Sequence, residues 1–178
     1  MTHFLITTGA ESSGKTTLAT QLADVLQAPL VSEASRDYLN ALYSRQPGYQ
    51  YREEELLAIA RLQHEREQQA LKASPPLIVC DTDLLVIIVW SEVKFGRVDP
   101  WITNTLLASL QQNPRSYFLC DPEIPWQADP LREHPQQRPM LFERYRAKLA
   151  QYQCRHAHVS GDEASRLQTS LKFFRSGT

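Results

Sequence analysis

Along the 178 residues, short apolar runs alternate with longer stretches in which apolar residues return every three to four positions. The runs Phe4–Thr8, Pro29–Ser32, Leu77–Cys80, Ser116–Cys120 and Ala157–Ser160 have the length and apolar content of buried strands. The stretches Gly14–Gln27, Ala34–Tyr43, Glu53–Lys72, Leu84–Lys94, Pro100–Gln111, Arg138–Gln151 and Glu163–Phe174 predict helices. In the first of them Leu18, Leu22, Val25 and Leu26 fall at helical spacing. Strands that alternate with helices in this way favour an α/β sandwich of three layers, a central five-stranded, mostly parallel sheet covered on both faces. Two stretches break the alternation. Ser44–Gln50 carries Pro47 and Gly48, and Asp121–Pro139 carries five prolines, a density that excludes a long regular helix.

Length and composition narrow the picture. The chain fits one domain spanning 1–178. A formal net charge of −1 gives no electrostatic case for nucleic acid or an anionic membrane as partner. Leu84–Trp90, the longest unbroken apolar run, has seven residues and is too short to span a bilayer. Only eight residues precede Gly9, which leaves no room for a signal peptide in front of it. Cys80, Cys120 and Cys154 are odd in number, far apart and free of any C-x-x-C pair, so a reduced, cytoplasmic interior is expected. The five histidines show no zinc-like spacing, and no histidine metal site is expected.

The chemistry enters at Gly9-Ala10-Glu11-Ser12-Ser13-Gly14-Lys15-Thr16, which fits G-x-x-x-x-G-K-[ST] between a predicted strand and a predicted helix. In such a P-loop the glycines let the backbone curl so that successive N–H groups face phosphate oxygens, and the helix adds its positive dipole end. The donor-binding group comprises Gly9, Glu11, Ser12, Ser13, Gly14, Lys15, Thr16 and Thr17, with Lys15 reaching the β- and γ-phosphates and Thr16 on Mg²⁺. No guanine-reading N-K-x-D and no D-x-x-G string occurs, which speaks against a GTPase switch; ATP is the expected donor, with GTP the alternative that the sequence leaves open.

Carboxylates complete the pattern. Leu77-Ile78-Val79-Cys80-Asp81 ends an apolar run in an acid, which assigns Asp81 to Mg²⁺ through water. Ligands in open parallel sheets bind beyond the carboxyl ends of strands, so Glu33 and Asp83 are both expected to face the crevice that holds Lys15. Helix capping is the other reading of Glu33, Asp37 and Asp83. Tyr38, Trp90 and Trp126 are candidates to wall an aromatic ring, packing being the other reading of each. The stretch 121–139, with Arg132 and Arg138, stands where a lid would close over phosphates.

Four stretches together, Gly9–Thr17, Glu33-Ala34-Ser35-Arg36-Asp37-Tyr38, Asp81-Thr82-Asp83 and Pro125-Trp126-Gln127-Ala128-Asp129-Pro130-Leu131-Arg132, resemble the kinase domain of NadR-type proteins. The resemblance runs in order over nearly the whole chain. It implies a P-loop kinase that phosphorylates the ribose 5′-hydroxyl of nicotinamide riboside, standing free of the adenylyltransferase domain because no H-x-G-H motif occurs. Where the family has Glu-aromatic-Gly-Arg, this chain has Ala34-Ser35 between Glu33 and Arg36. The implied roles are Glu33 as proton acceptor, Asp83 as second choice or ribose binder, and Arg132 with Arg138 on the transferring phosphoryl group. Arg36, Asp37, Tyr38, Trp90, Trp126 and Asp129 join Glu33 and Asp83 on the acceptor side. The rivals are a kinase of another nucleoside and a non-catalytic nucleotide-binding module.

Overall fold

The computed structural model describes residues 1–46, 49–127 and 136–177. In chain order the elements are β1 (His3–Thr8), α1 (Lys15–Leu26), β2 (Leu30–Val31), α2 (Ala34–Arg45), α3 (Glu53–Leu71) and β3 (Leu77–Asp81). They continue with α4 (Leu84–Phe95), α5 (Pro100–Gln112), β4 (Arg115–Cys120), α6 (Arg138–Gln151), β5 (Arg155–Val159) and α7 (Glu163–Arg175). Every strand and helix expected from the pattern is present, with ends that shift by one or two residues. The sheet runs β2-β3-β1-β4-β5, and all four pairings are parallel.

Strand alternation explains the three layers. Phe4 and Ile6 of β1, Ile78 and Cys80 of β3, and Tyr117 and Leu119 of β4 face one way, into a core with residues from α2 to α6. Leu5, Val79, Phe118 and Val159 face the other way, against Leu18, Leu22 and Leu171 of α1 and α7. Strands buried on both faces need apolar side chains at successive positions, which is why they read as continuous runs. All three cysteines are buried free thiols, and burial pushes the Cys120 thiol up to about 12.

One feature of the core is polar. Arg115, at the start of β4, donates to Glu67 of α3 at 2.7 Å and to Asp83 at 3.3 Å, and Tyr117 donates to Asp83 at 2.6 Å. Arg115 also lies 4.4 Å from the Phe4 ring centre. Burial pushes the Asp83 and Glu67 carboxyls up, with the Arg115 guanidinium pulling against it.

Candidate functional site

The chain just past β1 meets the amino end of α1 in a cleft of about 290 Å³, with Asp81, at the end of β3, outside its lining. The loop from Gly9 to Gly14 forms its donor wall. Gly9 (φ 133°), Ser12 (φ 53°) and Gly14 (φ 81°) adopt left-handed or related backbone conformations, which turn the chain tightly between strand and helix. At Gly9 the need for glycine is also steric, since a Cβ there would lie 2.9 Å from the Cys120 carbonyl oxygen. Helix α1 starts at Gly14 with no side-chain cap and no acid in its first turn. Its leading N–H groups therefore face the cleft as an anion site. Lys15 Nζ donates to the Ala10 carbonyl at 2.7 Å, across the loop's mouth.

Asp81 closes this corner. It is 4% exposed, and its Oδ1 lies 3.5 Å from the Thr7 hydroxyl. Burial pushes its carboxyl up, while a hydrogen bond with Thr16 and the nearby Lys15 charge pull it down. Thr16 and Asp81 thus lie side by side and offer two hard oxygen donors. That set suits Mg²⁺, which takes one or two protein oxygens together with water and phosphate.

The acceptor side is built by α2, α4 and α6. Glu33 ends the β2 connection and lines the cleft with Ser35, Arg36 and Leu39. Its carboxylate makes no capping bond to α2 and instead accepts from the Ser35 hydroxyl at 2.6 Å. Ser35 thereby occupies the place of the family's glycine and holds the acid. Strand β2 lies at the sheet edge and β3 separates it from β1, so Glu33 reaches the cleft from the edge of the sheet. Val86, Val89, Trp90 and Val93 of α4 give an apolar wall, and Leu141 and Tyr145 of α6 complete it. Trp90 therefore stands where an aromatic wall was sought.

Several expected site residues lie elsewhere. Asp83 is fully buried and accepts from the Leu85 N–H at 3.0 Å, capping α4. Asp81 and Asp83 would share a side if β3 continued, but Thr82 (φ 69°) breaks the alternation. The Asp83 carboxylate consequently runs back over the sheet to Tyr117 and Arg115 rather than into the cleft. On α2, residues 35, 36 and 39 share one arc at 100° per residue, which leaves Asp37 opposite it. Asp37 pairs with Arg66 at 2.6 Å on the exposed side, and Tyr38 packs against the core; neither lines the cleft. Trp126 also lies outside the lining, with the Arg138 guanidinium 5.7 Å from its ring centre. Arg138 donates to the Ser12 and Ile124 carbonyls at 3.2 and 2.7 Å, so it braces the phosphate loop from behind. Asp129, Arg132 and the middle of the expected 121–139 lid lie outside the described residues.

Beside Ser35 and the aliphatic lining of α4 and α6, two more residues escaped the sequence reading. Arg166 of α7 is 2% exposed and donates to the Ser13 carbonyl at 2.6 Å, the Gly161 carbonyl at 2.8 Å and the Asp121 carbonyl at 3.1 Å. It also pairs with Glu123 at 2.9 Å. One guanidinium thus ties the phosphate loop to the ends of β4 and β5. Tyr145 is the other, an acceptor-side residue inside an ordinary-looking Leu141-Tyr145-Leu149 helical stripe.

No described helix is long and apolar enough to cross a membrane. No curated protein matches the chain. Among solved structures, NadR protein in complex with NR superposes with a TM-score of 0.72 at 17% identity, over 98% of this chain and 51% of that one. NadR protein in complex with NAD and AMP-PNP gives 0.69 at 16%, over 98% and 49%. The chain therefore spans about half the length of the NadR chains it matches. Deoxyadenosine kinase from M. mycoides with its products gives 0.67 at 14%, over 97% and 99%. The fold is thus the α/β P-loop fold of nucleoside and nucleotide kinases, with the two NadR structures among its likenesses. A family profile described as an AAA domain matches residues 4–166, nearly the whole chain, and the chain belongs to that family.

Proposed function

We propose that this protein transfers the γ-phosphoryl group of ATP to the 5′-hydroxyl of a nucleoside, nicotinamide riboside being the first choice. The observation that carries the reading is one continuous cleft, in which an anion-binding loop opens onto an apolar compartment with Glu33 at the junction. The likeness to nucleoside kinases and to NadR with NR and AMP-PNP supports it.

In this reading the amides of Ser12 to Thr16 and the Lys15 ammonium hold the donor phosphates. Thr16 and, through water, Asp81 would hold Mg²⁺, which neutralises charge on the β- and γ-oxygens when bound. Glu33, fixed by Ser35, accepts the proton of the acceptor hydroxyl as its oxygen bonds to the γ-phosphorus and the bond to the ADP leaving oxygen breaks. The transition state of such transfers is loose, so placing the two substrates in line contributes more than base strength. Trp90 and the α4 valines exclude water and pack the acceptor's ring.

The test is an acceptor panel with purified protein, ATP and Mg²⁺, following ADP release and identifying products by mass. Nicotinamide riboside should yield its 5′-monophosphate. Preference for a deoxynucleoside would reassign the acceptor and leave the kinase reading in place. Tight ATP binding with no nucleoside-dependent ADP release would make the chain a nucleotide-binding module and overturn the proposal.

A further inference from the structure

We infer that the Tyr145 hydroxyl seats the acceptor through one of its sugar's secondary hydroxyls, and so selects acceptors that carry it. The inference rests on the kinase reading above and deepens it. Tyr145 is 5% exposed yet lines the cleft, and its hydroxyl makes no hydrogen bond among the described residues. Phenol hydroxyls in the core are usually bonded within the protein, as Tyr117 is to Asp83 at 2.6 Å. The Tyr145 oxygen opens onto the cleft, so an occupant of the cleft is within its reach in place of water.

The surroundings specify that partner's chemistry. Glu33 and Glu11 line the same cleft and lie close enough to act on the phenol, and they add to burial in raising its pKa. Tyr145 thus stays protonated and keeps a hydrogen to donate. Val86, Val89 and Trp90 leave few other polar groups on the acceptor side. The occupant must accept from a phenol and donate to a carboxylate. An alcohol does both, whereas an anion only accepts, and it meets Glu33 and Glu11 as well as the Arg36 and Lys15 cations of the same lining. A sugar supplies one alcohol to Glu33 for reaction and others for Tyr145.

Tyr145→Phe removes the oxygen and keeps the ring, so the core is preserved. Turnover and calorimetric binding, the latter with a non-hydrolysable ATP analogue, are measured for nicotinamide riboside and its 2′-deoxy and 3′-deoxy forms. The acceptor KM and Kd should rise roughly threefold to tenfold in the variant, the scale of one lost hydrogen bond, while the ATP KM holds. One deoxy acceptor should bind the wild type as weakly as the variant and show no further loss in it. Equal weakening of all three acceptors, no weakening, or a wild type indifferent to both deletions overturns the inference and spares the kinase reading. A wild type that neither binds nor phosphorylates any nucleoside overturns both.

Discussion

Replacing Arg115 with methionine removes the cation that bridges two buried carboxylates, Glu67 and Asp83. Glu67 is 2% exposed and Asp83 is fully buried, so neither can recover its lost partner from water. Breaking a buried ion pair from one side typically costs about 3–5 kcal/mol. For a chain of this size each kcal/mol shifts the melting temperature by about 2–4 °C, which predicts a fall of about 6–20 °C. Thermal and urea unfolding followed by circular dichroism would measure it, with an unchanged m-value confirming a pure stability effect. The sign of the pH dependence is fixed by the same geometry. Both carboxyls are already held up by burial, and without the guanidinium they rise further, so their folded-state pKa values exceed the unfolded ones. Stability of the variant is then greatest at low pH and falls as pH rises through the folded values. Adding Glu67→Leu removes one orphaned charge and leaves Asp83 with Tyr117 and the Leu85 N–H. The double variant should accordingly be more stable than Arg115→Met alone. A loss below about 1 kcal/mol, or a double variant no more stable than the single, would refute the reasoning.

Lys15→Ala should lower kcat by about 10²-fold or more with any acceptor while circular dichroism stays unchanged, since Lys15 sits at the loop's mouth and outside the core. Glu33→Gln should cut kcat by about 10²-fold with little change in ATP affinity by calorimetry; equal losses in both would make the residue structural. Arg132→Ala should slow single-turnover phosphoryl transfer by about 10³-fold, and unchanged kinetics would remove it from the phosphoryl site. Burial, seconded by Arg155 and Arg115 respectively, lowers the pKa of His3 and His64 below the ordinary 6.5. The unfolded chain then binds more protons, so urea stability should be full above pH 6.5 and fall as pH drops below it, and His3→Gln with His64→Gln should flatten that slope.

The layered fold was legible because its central strands carry short apolar runs, as in Phe4-Leu5-Ile6 and Leu77-Ile78-Val79, and its helices are apolar at every third or fourth position. The phosphate loop and Asp81 were legible because phosphate chemistry dictates their spacing. Glu33 followed from the strand-end rule, although its edge position did not. Asp83 misled because one left-handed residue, Thr82, cancels the alternation that would have aimed it at the cleft. Tyr145 was hidden by its own periodicity: its ring belongs to the core stripe, and only the hydroxyl's missing partner sets it apart. Arg166 was hidden for the opposite reason. A charged residue one turn into an amphipathic helix reads as solvated, and Ser170 on the same buried face gives no apolar signal.

Arg166 has a consequence for the order in which the molecule becomes competent. The amides that cradle phosphate leave the ribosome well ahead of the guanidinium that fastens Ser13, which follows more than 150 residues later, on α7. A nascent chain halted before α7 would hold the whole phosphate motif and still lack its clamp. Donor affinity should therefore emerge only once α7 is made and docks beside α1.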